Sequence, residues 1–142
     1  MPYRHESVEG KTRIIAENHT LPTAFADAAT AAWALVIDPE SVKGSETRAR
    51  IVVEAQSRDD LLGSWIKAVL EQSEIDGLLF SEFRVSSIQE VSSTQYLLTG
   101  EAWGEAMDPA RHHIKRNPKE LLVSDAACTD EGGMVTCHAM IS

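Results

Sequence analysis

The chain is short of positive charge: 13 Lys and Arg stand against 22 Asp and Glu, a formal charge of −9 over 142 residues. Broad phosphate-backbone binding works by cationic side chains neutralising phosphates and releasing their counterions. That deficit therefore excludes a general nucleic-acid coat protein, although a local basic patch remains open. Long apolar runs are also missing. Stretches such as Ala31 to Ile37 fall far short of the ~20 residues a membrane-spanning helix needs. The start, Met1-Pro2-Tyr3-Arg4-His5-Glu6, lacks the apolar core of a secretory signal, so a cytoplasmic location is expected. Cysteine is scarce too. Cys128 and Cys137 form neither a CxxC nor a zinc-ligand spacing, which in a reducing compartment reads as two small buried thiols. No internal repeat, low-complexity tract, linker, glycine-rich phosphate loop or nucleophile elbow is present. What remains is an ordinary 43% apolar fraction. A chain of this length buries roughly two thirds of its unfolded surface, enough to fold without disulfide or structural metal. One domain, 1–142, is expected.

Residues 12–17 read as a strand. Thr20 then offers an N-cap with Pro22 in the first helical turn, and Phe25, Ala28, Ala29, Ala32, Leu35 and Val36 recur on one helical face. Asp38-Pro39 is expected to end that helix, a loop follows to Glu46, and Ala49, Ile51 and Val53 alternate as a half-buried strand. Ser57 with Asp59 and Asp60 opens a second helix. Its stripe is Leu61, Leu62, Trp65, Ile66, Val69 and Leu70, and it runs to about Ser73 before the Asp76-Gly77 break. Leu78 to Val85 and Thr94 to Trp103 are strand-like, with Ser86-Ser87 and Ser92-Ser93 expected to bracket a turn. Leu121 to Thr129 and Met134 to Ile141 flank the hairpin signal Asp130-Glu131-Gly132-Gly133. A four-residue turn there would set Cys128 and Cys137 diagonally, a poor disulfide geometry. The order predicts an α+β, two-layer domain with two helices packed on a largely antiparallel sheet. Trp33 and Trp65 are expected in the core, and His138 as a half-buried strand residue.

The segment Gly104 to Lys119 concentrates chemistry. It turns at Asp108-Pro109, and Arg111, Lys115, Arg116 and Lys119 with His112 and His113 make a positive spot on an acidic chain. Such a spot suits a phosphate, a nucleotide or an acidic partner. Gly104-Glu105, Asp108-Pro109, Arg111 and His112 match the G-E-x-x-D-P-x-R-H segment of the archease family, which the chain resembles. Thr20-Leu21, Ala24-Phe25, Ala28-Ala29 and Asp38 resemble that family's first helix and the aspartate after it. Asp60-Leu61-Leu62 with Gly77 to Ser81 resembles its second helix and following strand. The resemblance covers nearly the whole chain.

Archeases serve as activating cofactors of RtcB-type RNA ligases in tRNA splicing and RNA repair, promoting guanylylation. The resemblance therefore implies a non-enzymatic accessory protein with such a ligase as partner, any RNA or nucleotide contact being indirect. Asp38, Asp108, Arg111, His112 and Lys119 are the candidates for that contact or its support. Archeases also carry an Asp-His-Thr-Ala-Asp motif on the first strand and a near-terminal aspartate, which bind calcium or magnesium. Counted without a gap, the motif falls on Ser7-Val8-Glu9-Gly10-Lys11, and Ile141 occupies the near-terminal position. Lys11 has no oxygen to offer a hard cation, so the metal site is expected to be lost. An ion pair between Lys11 and the Ser142 carboxylate is a candidate replacement. Two rival readings are a non-activating paralogue serving another partner or inhibiting the same complex, and a small hydrolase using His112 or His113 as base near Asp108.

Overall fold

The computed structural model describes residues 3–43 and 47–142. Among them the chain runs β1 (Tyr3–Val8), β2 (Lys11–Asn18), α1 (Leu21–Trp33), β3 (Thr47–Ala55), α2 (Arg58–Asp76), β4 (Leu78–Ser92), β5 (Gln95–Ala106), β6 (Val123–Glu131) and β7 (Met134–Ile141). The strands form two antiparallel sheets, β1-β2-β7-β6 and β3-β5-β4. The α+β class with two helices on antiparallel sheet holds, but the expected single sheet is two. Alternation along a strand dictates which face is buried; it does not name the neighbour.

Both helices pack on both sheets, α1 against β2 and β4 and α2 against β6 and β3. Thr20 caps α1, accepting from the Thr23 N–H, and Ser57 caps α2, accepting from the Asp60 N–H. The apolar stripe Leu61, Leu62, Trp65, Ile66, Val69 and Leu70 is buried along its length. Trp33 and Trp65 are core residues whose indole N–H groups donate to the carbonyls of Val69 (3.1 Å) and Phe25 (2.9 Å). Helix α1 stops at Trp33, short of Asp38. Ala34, Leu35, Val36 and Ile37 continue in tight turns onto the Thr30, Ala32 and Trp33 carbonyls, and Asp38 caps a separate 3₁₀ turn at Pro39–Ser41. Helix α2 runs on to Asp76, where Gly77 closes it in the left-handed conformation (φ 64°).

Three further readings change. Strand β1 was not apparent from the sequence; it pairs with β2 through the turn Glu9-Gly10 (φ 50° and 82°). The Ser7–Lys11 segment therefore spans the end of β1, a tight turn and the start of β2, and does not lie on one strand. Ser86-Ser87 does not precede a turn but lies within β4, beside a register shift at Val85/Ser87 that the strand absorbs as a bulge. The β6–β7 hairpin has a two-residue turn at Gly132-Gly133 (φ 60° and 79°), as a type I′ turn requires. Cys128 is consequently opposite Cys137 and not diagonal to it. No helix is long and apolar enough to cross a membrane among the described residues.

Candidate functional site

Strand β5 delivers Glu105 into the interior beside β4. Gly104 makes this approach possible, since a Cβ there would overlap the Leu79 carbonyl oxygen. Beyond Ala106 the chain turns back on itself. The Met107 N–H donates to the Gly77 carbonyl (3.2 Å), and the Asp108 carbonyl accepts from Arg111 (3.0 Å) and His112 (2.8 Å). The Asp108 carboxylate accepts from the Ala110 N–H (3.0 Å), a local bond that aspartate favours in turns.

This turn swings His112 inward until its side chain is fully buried. The Asp108 N–H donates to Nδ1 (2.9 Å), so in the neutral ring the proton is on Nε2. Nε2 faces Glu105 Oε1 at 3.3 Å without hydrogen-bond alignment and has no other partner. Glu105 is the hub. Its Oε1 pairs with Arg111 Nη2 and its Oε2 accepts from the Lys43 backbone N–H. A buried carboxylate must have its oxygens met, and these contacts meet them. Arg111 is 46% exposed while Glu105 is 8% exposed, so the guanidinium is held from within and presents its other edge to solvent.

Two backbone bonds stitch the Asp38 loop to this cluster. The Lys115 N–H donates to the Val36 carbonyl (2.7 Å) on one side of Asp38, and Lys43 reaches Glu105 on the other. The exposed Asp38 carboxylate accepts from the Glu40 N–H (3.1 Å). Burial pushes the Tyr3 phenol pKa up, and the negative charge of Asp38 adds to that. The structure thus brings together Asp108, Arg111 and His112, with the Asp38 loop tied alongside. Lys119 is elsewhere: it lies in a 3₁₀ turn at Pro118–Glu120 and pairs with Glu74 of α2 at 3.5 Å.

Lys11 is exposed at the β1–β2 turn, and Ile141 is fully buried in β7 opposite Thr12. Lys11 makes no ion pair with the Ser142 carboxylate, so the expected replacement contact is not formed. An exposed pair at that position would contribute little in any case. Among the described residues no three His, Cys, Asp or Glu side chains converge as a cation site.

Chemically, the cluster can grip an anionic group through the free edge of Arg111. It is poorly arranged for general-base catalysis by His112, because Nδ1 is occupied and the ring is out of reach of solvent. His113 is exposed. The residue sequence reasoning passed over as a site member is Glu105. A glutamate on an alternating strand reads as solvated, and its signal lay only in the spacing Glu105–Arg111–His112.

A family model described as the Archease protein family (MTH1598/TM1083) matches residues 3–141. The Protein archease of Aeropyrum pernix is 30% identical over 133 residues, covering 92% of this chain and 90% of that protein. The Protein archease of Pyrococcus furiosus is 30% identical over 106 residues, covering 75% of this chain and 72% of its own. The fold is similar to the solution structure of Methanobacterium thermoautotrophicum protein 1598, with a TM-score of 0.79, 23% identity and coverage of 99% and 98%.

Proposed function

The chain belongs to the archease family, and from that premise we propose that it binds and modulates an RtcB-type RNA ligase without itself turning over a substrate. The observation that carries this reading is the Arg111 guanidinium, clamped by buried Glu105 and half open to solvent. A pre-ordered guanidinium loses little side-chain entropy when it engages a carboxylate or phosphate of a partner. The exposed Asp38 loop, tied to the same cluster, would extend the contact.

The reading includes loss of the family's divalent metal. Lys11 contributes an ammonium, and Ile141 contributes only buried hydrocarbon where a carboxylate is needed, so the donor set does not fit a hard cation. That misfit favours one rival, a non-activating paralogue that serves another partner or inhibits the same complex. Multiple-turnover ligation by a cognate RtcB-type ligase, with and without this protein, separates them. We expect a higher turnover, and expect Arg111→Ala to weaken the effect by about tenfold or more, the scale of a lost charge-assisted bond. Co-purification without stimulation, or with inhibition, would select the non-activating reading on the same complex; neither binding nor stimulation would overturn the ligase reading and leave the paralogue with another partner.

A further inference from the structure

Away from the Glu105 cluster, the β6–β7 hairpin holds Cys128 and Cys137 directly across from one another, with their sulfurs 3.7 Å apart. The Cys128 N–H points out of the hairpin to Asp59 Oδ1 of α2 (2.9 Å). It therefore does not bond to Cys137, and the two residues form the non-hydrogen-bonded type of antiparallel pair. In such pairs the Cα atoms lie about 4.5 Å apart and the side chains come closest, within the range a disulfide spans. The two-residue Gly132-Gly133 turn sets this register.

We propose that Cys128 and Cys137 are a thiol–disulfide site, oxidised by a small-molecule disulfide to an internal cross-strand bond. The two sulfurs have unequal roles. Cys137 is fully buried, and its S–H donates to the Cys128 sulfur. That bond, burial and the nearby negative groups all push the Cys137 thiol pKa up, so it stays protonated at rest. Cys128 is only half-buried, so of the two it is the thiol more open to an incoming molecule.

In the first step Cys128 gives its proton to water and its sulfur attacks one sulfur of RS–SR. The Cys128–SR bond forms, the RS–SR bond breaks, and RS⁻ leaves. Cys137 then attacks the Cys128 sulfur, its proton passing to the departing RS⁻. The Cys128–Cys137 bond forms and the second RS⁻ departs. Two protein thiols are oxidised by two electrons, and one small disulfide is reduced to two thiols. β6 is the outer strand of its sheet and carries a register shift between Ser124 and Ala127, so it is held by a strand on one side only.

The test incubates the folded full chain with glutathione disulfide, quenches with acid, alkylates under denaturing conditions and measures intact mass. The expected product is a monomer lighter by two hydrogens, without adduct, resistant to alkylation and restored by dithiothreitol, with peptide mapping joining Cys128 to Cys137. Cys137→Ala is expected to stop at a stable glutathione adduct on Cys128. Cys128→Ala is expected to remain fully alkylatable, circular dichroism confirming that both variants fold. Wild-type protein that keeps both thiols, stops at the adduct, or forms only intermolecular dimers would overturn the proposal. If a variant does not fold, the wild-type mass and peptide map decide alone.

Discussion

A buried carboxylate is tolerable only when its oxygens are met, and Glu105 meets them through Arg111 and the Lys43 N–H, with His112 facing it. The sequence showed the partners' spacing but not the burial, because burial of Glu105 follows from how β5 sits under the Asp38 loop. Trp33 and Trp65 were legible for the opposite reason: each lies on or beside a helical apolar stripe, and such a stripe has nowhere to go but inward. Asp27 shows a cost the sequence could not display. Its partial burial raises its carboxyl pKa above the ordinary 3.8, against the lowering effect of the Asn18 hydrogen bond (2.8 Å). A raised folded-state pKa means the folded chain binds that proton more tightly than the unfolded chain. The contribution is thus unfavourable at high pH and is relieved as pH falls through the folded value toward 3.8. Asp27→Asn keeps an acceptor for Asn18 and removes the charge. Its stability relative to wild type is expected to be more favourable near pH ~7 than near pH ~4, as urea unfolding at the two values would read. A difference independent of pH would contradict this.

At the scale of elements, caps and turns carried the most readable information. Thr20 and Ser57 each satisfy an otherwise orphaned backbone N–H, so residue type and position coincide. Strand β4 was harder, since Ser86-Ser87 is compatible with both turn and bulge, and pairing with β5 decides for the bulge. The β4–β5 junction is also the least forgiving point. Adding a methyl group at Gly104 drives it into the Leu79 backbone, which no side-chain rotation relieves. Gly104→Ala is expected to cost at least about 3 kcal/mol, the upper end of overpacking penalties, as a lowered urea midpoint. It should also displace Glu105 next door, so the proposed ligase modulation is expected to fall with it. A variant of wild-type stability would show that β4 and β5 are less closely apposed than described.

For the molecule as a whole, Lys11 and Ile141 bear on how the two central strands of their sheet, β2 and β7, are joined. Strands β2 and β7 are paired directly, from Thr12 opposite Ile141 to Asn18 opposite Val135. A ligand that binds only the folded state raises the unfolding midpoint in proportion to the logarithm of its concentration. Millimolar calcium or magnesium is therefore expected to leave the thermal midpoint unchanged, and chelators likewise. A concentration-dependent rise would reveal a cation site and overturn the proposed loss of the family's metal.

The sequence by itself determined the two helices with their starts, most of the strands, the apolar stripes that make the core, and the resemblance to archeases that the comparisons bear out. Each is a local pattern, written in spacing and residue type. Tertiary structure decided what depends on neighbours distant in the chain: two sheets in place of one, Glu105 as the buried hub, Lys119 drawn to Glu74, Lys11 left unpaired, and Cys128 facing Cys137. The last of these turned on one turn being two residues long. In an antiparallel hairpin, a change in loop length moves every cross-strand partner, and with them the chemistry that opposed side chains can perform.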